Sequence, residues 1–377
     1  MLLRQLRLRD FRNVASLEIA PDPRFNVIAG ANGEGKTNLA EAVFVLAALK
    51  SFRQLRNDAM VRRGATAAIC SASVERLGAR RDVEVTITET SRRVTLNGKP
   101  IRKLADFFGN LNVVAFGPED IGVMRGAPSE RRVALDRMVF NAWPAFADES
   151  ARYEAALKNR NALLRQVADG SASFDGALLD IYDRQVSSFG ARIVARRAAF
   201  LARFVAPFND AFGEIFGPGH EVALQCVEGG GEPAEVPADE ADVEVALFDA
   251  LRAARARDLG RGFTTVGPHR ADLVATLDGR LLRDFGSQGQ HRAFVLAMKI
   301  TEIRQLHAHS GEYPVLVLDD VSSELDARRN QQLFDFLSSI DGQVFITTTD
   351  PEYVRLSHPY MLWQVREGVV SLPQAAA

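Results

Sequence analysis

Residues 25–38 read FNVIAGANGEGKTN: an apolar run reaching Gly30, a glycine-rich turn, then Lys36 and Thr37 at the mouth of the helix-forming stretch NLAEAVFVLAAL. This G-x-x-x-x-G-K-T pattern demands a buried strand that feeds a helix N-terminus, and so restricts the chain to a parallel α/β architecture. Gly30, Gly33 and Gly35 let successive amides converge on phosphate oxygens where the helix dipole favours an anion. Together with Ala31, Asn32, Glu34 and Asn38 they form the expected cradle for ATP. Lys36 is expected to reach the β- and γ-phosphates, and the Thr37 hydroxyl to ligate Mg²⁺.

A magnesium ion held by one hydroxyl and by phosphates lacks a protein carboxylate, which a neighbouring strand end must supply. PVLVLDD at 314–320 has the continuous apolar character of a strand buried on both faces. Asp319 is its metal-side acid, and Asp320 the group that orients or deprotonates the attacking water. The two elements lie almost at opposite ends of the sequence yet must share one ion. The nucleotide domain is therefore expected to combine 1–140 with 261–377, and 141–260 to be an inserted, mainly helical lobe with a short coiled-coil-like hairpin.

A chain of 377 residues suggests about two or three structural units. No apolar run approaches the ~20 residues of a membrane span, and arginines interrupt MLLRQLRLRDFRN where a signal peptide needs an apolar core. The expected location is the cytoplasm. Cys70 and Cys226 are too few for a disulfide framework or thiolate metal site and are expected to be passive core residues. With 46 basic against 48 acidic side chains, nucleic-acid binding would need a local patch.

Alternating patterns predict antiparallel strands at LLRQLRLRDF, SLEIA, AAICSASVE, DVEVTITE and RRVTLNGKPI, the last turning at Asn97-Gly98. LNVVAF reads as a buried strand and PSERRVALDRMVF as a helix. From 143 to 216 the pattern is helical, with Tyr182, Val186, Phe189, Ile193, Phe200 and Phe204 spaced as on one helix face. A strand at HEVALQCV and the acidic stretch 228–242 follow, the latter expected to be a mobile surface loop. Two further helices (VEVALFDALRAARA and ELDARRNQQLFDFLSSI) and a last buried strand, QVFITTTD, complete the reading.

In FGSQGQHRAF, residues 285–294, a polar turn runs into an apolar helix without an adjacent nucleophile or metal cluster. Ser287 reads locally as a helix cap. Its hydroxyl, the Gly289 amide and the helix N-terminus are also suitable donors for a γ-phosphate that the phosphate loop and acidic strand leave open on one side.

GANGEGKT, SQGQ, LVLDDVSSELD and TTTD, in that order, resemble the ABC-type ATPase heads of the SMC family. FRN at 11–13, KSFR at 50–53, FGPEDIGVMRGAPSERR at 116–132, TTVGPHRAD at 264–272 and DDVSSELD at 319–326 resemble, more narrowly, the RecF family of bacterial DNA replication and repair proteins. The resemblance covers nearly the whole chain. It implies that Ser287, Gln288, Gly289 and Gln290 contact the nucleotide of a partner chain, so that two ATP molecules lie between two heads of a homodimer. His291 departs from the family pattern, where a second glutamine is expected. Asp326 resembles the family's D-loop acid at the dimer seam, although an acid there is also an ordinary helix-start charge. Thr348 is placed to sense the γ-phosphate or to cap the next turn. The resemblance further implies DNA binding near single-strand gaps, slow hydrolysis that resets the dimer, and cooperation with RecR and RecO in loading RecA.

Arg53 reads as a phosphate contact or an exposed arginine, and His269 and Arg270 as contacts to the site, to DNA or within a hairpin. His307 and His309 are too isolated for a metal site. Arg4, Arg7, Arg9, Arg12, Arg62, Arg63, Arg80, Arg81, Arg92 and Arg93 form a candidate basic face. The competing functions are the ATPase subunit of a membrane transporter and a nucleotide-switched DNA scaffold with incidental turnover.

Overall fold

The computed structural model describes residues 1–53, 56–101, 106–171, 173, 175–227, 239–371 and 374–376, without the side chains of 322, 323 and 374–376. The expected surface loop falls mostly on 228–238, outside the described residues. The chain forms two compact units: residues 1–122, 211–217 and 288–377 make the first, and 123–210 with 218–287 the second.

The first unit is the α/β head assembled from both ends of the chain. Its central sheet runs in the order Val369–Val370, Tyr360–Arg366, Phe25–Ala29, Val344–Thr348, Val315–Asp319, Val113–Phe116. The last five of these strands pair in parallel. The three innermost are buried at every residue, which is why they read as unbroken apolar runs. A six-stranded sheet begins Val14–Ile19, Leu2–Phe11, Ala67–Arg76, Ala79–Thr88 and ends with the hairpin over Asn97-Gly98. There alternation survives because only one face is covered.

Helix Lys36–Ala48 lies between the two sheets and touches strands of both. Ten of its thirteen residues are buried, so the helix is apolar on nearly every side rather than striped. Each large side chain among them, such as Phe44 or Leu46, contributes roughly 1.5–3 kcal/mol by leaving water. Gln343 ties the terminal strands together: its side-chain oxygen accepts from the Leu3 amide at 2.7 Å, and its nitrogen donates to the carbonyls of Leu3 and Asp22 at 3.0 and 2.8 Å.

The second unit carries the helices Pro128–Ala142, Phe146–Ala168 and Glu240–Arg261, most of the 41-residue helix Gly176–Phe216, and a sheet ordered Arg280–Leu281, Asp272–Leu277, Val222–Val227. Its limits differ from the expected 141–260. Strand Asp272–Leu277 pairs with Val222–Val227, and Arg131 grips Asp272 through Nε and one Nη at 2.7 and 2.6 Å, so 123–140 and 261–287 fold with the insertion. Val186, Ile193, Phe200 and Phe204 are buried as the helical spacing predicts, and the rings of Phe200, Phe204 and Phe208 stack in succession. Tyr182 and Phe189 are only half-buried, at the flank of this stripe, whereas the polar Asp183 and Ser187 are buried.

Asp183 belongs to an ionic core. The Arg160 guanidinium, fully buried, donates from Nε to Asp183 at 2.6 Å and from one Nη to Asp258 and Thr264 at 2.8 Å each. Arg255 holds the other Asp183 oxygen, and the Thr265 hydroxyl and amide hold the other oxygen of Asp258.

Candidate nucleotide site

Three glycines of the phosphate loop are sterically required, each for its own reason. A Cβ on Gly30 would stand 2.4 Å from the Val365 carbonyl oxygen of the neighbouring strand. Gly33 and Gly35 have φ of +85° and +112°, where a side chain is strained, and a Cβ on Gly35 would strike the Asn13 amide at 2.7 Å. Ala31 and Asn32 complete the turn. Asn13 holds it: its side-chain nitrogen donates to the Glu34 carbonyl at 3.1 Å, and its oxygen accepts from Asn38 at 2.7 Å. The Glu34 carbonyl also accepts from the Gly368 amide at 2.8 Å, and the Glu34 carboxylate from the Glu367 amide, which fixes the loop to the C-terminal hairpin.

Lys36 is buried at 6% exposure, and its Nζ donates to the carbonyls of Gly30 and Ala31 at 2.8 Å each. Burial lowers its pKa, against the opposing pull of Asp320, Asp319 and Glu34. A desolvated cation at the head of a positive-φ loop, hydrogen-bonded to loop carbonyls, suits an anionic ligand.

Asp319 stands at the end of its strand and is buried. One of its oxygens accepts from the Thr37 hydroxyl at 2.8 Å and from the Thr347 hydroxyl at 2.6 Å. The predicted metal pair, Thr37 and Asp319, is thus brought into contact across 282 residues of sequence. Asp320 has φ of +51°, a left-handed conformation that aspartate tolerates better than most residues. Its amide donates to the Thr347 hydroxyl at 3.0 Å.

The hydroxyl beside Asp319 belongs to Thr347. The Thr348 hydroxyl caps the next turn, one of its two expected roles, donating to the Asp350 carbonyl at 2.8 Å. Strand parity contains the signal: Thr347 is the register partner of Asp319. Asp326 is a helix N-cap, accepting from the Arg329 amide at 3.1 Å and pairing with its guanidinium. Burial pushes the Asp326 carboxyl up, but these Arg329 contacts win and hold it below the usual range. In the same unit Gly289 faces Arg329, whose nearest nitrogen would lie 3.4 Å from an added Cβ. Ser287 and Gln288 are exposed at the start of helix Gln288–Ser310, Gln290 is half-buried and His291 is buried.

An internal clamp behind the loop was not legible as such. Glu41, fully buried on the phosphate-loop helix, pairs with Arg12 at 3.1 Å and accepts from the Ser51 hydroxyl. Arg12 also donates to Asn38 and to the Ala59 carbonyl, and the Ser51 oxygen accepts from the Arg53 amide at 3.0 Å. FRN and KSFR therefore meet at one buried carboxylate, and Arg53 itself is exposed. A charged residue inside an otherwise apolar helix is the signal that marks Glu41.

Part of the candidate basic face is paired with acids, and part is engaged by neutral acceptors. Arg4, Arg7, Arg12 and Arg62 pair with Glu75, Glu18, Glu41 and Asp10, while Arg80, Arg81 and Arg92 donate to Ser73, Asn110 and the Leu49 carbonyl. Cys70 is buried, and burial drives its thiol pKa up, which leaves it inert. Among the described residues no cluster of His, Cys, Asp or Glu could by itself hold a metal, and no helix is long and apolar enough to cross a membrane.

A phosphate loop, an acidic strand two places away in a parallel sheet, and a signature turn opening a buried helix define an ABC-type ATPase head of the SMC class. The profile of the RecF/RecN/SMC N terminal domain matches residues 2–370. The chain belongs to the RecF family of DNA replication and repair proteins. It is 41% identical over 373 residues to the RecF of Geobacter sulfurreducens, covering 98% of this chain and 100% of that one. With the RecF of Anaeromyxobacter dehalogenans strain 2CP-1 it shares 42% over 378 residues, covering 98% and 99%. Among solved structures, the recombination mediator protein RecF with ATP, of the RecFOR pathway, superposes with a TM-score of 0.85 at 27% identity, covering 98% of both chains. An Smc head bound to the C-winged helix domain of ScpA shares the fold at a TM-score of 0.55 and 15% identity, covering 100% and 98%. The full-length family match sets aside the transporter alternative.

Proposed function

We propose that this chain is an ATP-dependent DNA-binding protein of replication and recombinational repair, in which Mg²⁺-ATP closes two heads on DNA and slow hydrolysis releases them. The observation that carries the reading is the Thr37–Asp319 contact, which joins the two motifs at one point beside a desolvated Lys36. These residues fit the nucleotide: the glycine turn presents positive-φ backbone that is open at Gly33, Lys36 supplies the neutralising charge, and Thr37 with Asp319 offers a hydroxyl and a carboxylate to one magnesium ion. When bound, such an ion would offset the negative charge of the phosphates.

Asp320 orients water beside the site, with its amide held by Thr347. Ser287, Gln288, Gly289 and Gln290 offer donors at an exposed helix start, suited to a nucleotide carried by a second copy. Such an arrangement is isologous, each chain giving and receiving the same contact. Asp326, through Arg329 beside Gly289, steadies the same surface. Gapped DNA as the preferred site, and cooperation with RecO and RecR in loading RecA, follow from family membership.

Mass in solution with and without ATP tests the pairing. The natural chain is expected to double its mass with ATP. Ser287→Arg is expected to bind ATP and remain single, and its normal pairing would remove the shared site from the account.

A further inference from the structure

The turn Gly267–Arg270 in the second unit is held from several sides. Gly267 has φ of +121°, and a Cβ there would lie 2.9 Å from the Tyr153 hydroxyl. The Arg270 amide donates to the Gly267 carbonyl at 2.8 Å. The Tyr153 hydroxyl donates to His269 Nδ1 at 2.6 Å, and His269 Nε2 donates to the Thr264 carbonyl at 3.2 Å. Arg197 donates to the Pro268 carbonyl at 2.9 Å and Arg132 to the Ala271 carbonyl at 2.6 Å. A turn fixed this firmly presents its exposed Arg270 side chain from a rigid base.

The charges around it do not balance. Arg131 engages both oxygens of Asp272, and Arg197 both oxygens of Asp136 at 2.7 and 2.8 Å. These two forks use the nearby carboxylates and leave Arg132 and Arg270 with no ion pair among the described residues. Arg132 is half-buried; burial and the like charges of Arg197 and Arg270, opposed by the attraction of Asp272 and Asp136, hold its guanidinium below the ordinary value. Arg270 lies 5.9 Å from the ring of Phe263, which is 40% exposed. Two guanidiniums without an ion pair among the described residues, one of them Arg270 beside a partly exposed aromatic ring, suit a polyanion with stacking bases better than an acidic protein surface.

We propose that the Gly267–Arg270 turn receives a phosphodiester group of bound nucleic acid, with Arg132 and Arg270 as its donors. The inference rests on the DNA-binding reading above and adds its place on the molecule. Both arginines meet phosphate, so they contribute affinity without reading sequence.

Fluorescence anisotropy with labelled gapped duplex, full duplex and single strand, each across a salt series, tests it on the natural chain, Arg270→Gln and Arg132→Gln/Arg270→Gln. On duplex, each lost arginine is expected to make the slope of log K against log salt shallower by about one, and to weaken binding roughly fivefold to tenfold at 0.1 M salt. Binding of a fluorescent ATP analogue is expected to stay unchanged, which checks the fold of each variant. If both variants keep the natural affinity and slope on all three probes, the proposal is overturned and the turn is left to an acidic protein surface. If the natural chain binds none of the probes, the DNA reading itself falls and the proposal with it.

Discussion

Replacing Arg160 with methionine removes one cation from the ionic core of the second unit. The two carboxylates it leaves are not equivalent. Asp183 keeps Arg255, whose Nε lies 2.8 Å from its second oxygen. Among the described residues, Asp258 keeps the Thr265 hydroxyl and amide, at 2.6 and 3.0 Å, and loses its cation. One buried carboxylate thus becomes uncompensated, for which the loss is about 3–5 kcal/mol. Methionine restores part of the packing, so about 3 kcal/mol is expected. For a unit of this size that lowers the melting temperature by roughly 6–12 °C. The two tryptophans make the measurement selective, since Trp143 lies in the second unit and Trp363 in the first. Urea unfolding followed by fluorescence in a Trp363→Phe background reports the second unit. Adding Asp258→Asn to Arg160→Met is expected to recover part of the loss, because it removes the stranded charge. A loss below about 1 kcal/mol, or no recovery in the double variant, would refute the idea that Arg160 neutralises a buried acid.

Burial lowers the His269 pKa from 6.5 to about 4. The unfolded chain then binds the proton first, so this residue's stabilisation is complete above pH 6.5 and is lost as pH falls towards 4. The difference between natural chain and His269→Gln is expected to shrink by at most about 3 kcal/mol across that window, measured by urea unfolding at several pH values. Lys36→Ala is expected to cost at least about 100-fold in ATP turnover, and wild-type turnover in that variant would displace Lys36 from the site. Glu41→Ala strands Arg12 and frees Ser51; a loss of about 2–4 kcal/mol with weaker nucleotide binding is expected, and normal values of both in calorimetry would show the clamp to be passive.

The phosphate loop was legible because each of its requirements is local. Positive φ at Gly33 and Gly35 and an unbroken apolar strand beside them leave few alternatives in any context. The acidic strand was legible for a similar reason, and metal geometry then required the chain ends to meet. Distant side chains acting on one another were not legible. Thr347 rather than Thr348 faces Asp319, a matter of strand register; Asp326 spends its oxygens on Arg329; and Glu41 joins FRN to KSFR inside a helix whose burial on both sides no moment in the sequence declares. The apparent basic face shows the same limit, since Arg4, Arg7 and Arg62 find acids contributed by other strands or strand ends.

What the amino-acid order by itself determined is the chemistry of the loop and the strand, set by backbone conformations that only glycine adopts freely and by apolar runs that only a covered sheet can bury. Tertiary structure decided which hydroxyl meets Asp319, which arginines are neutralised, and where the insertion ends. Those outcomes depend on pairing between residues up to hundreds of positions apart, and charge compensation over a few ångströms has no signature in linear spacing.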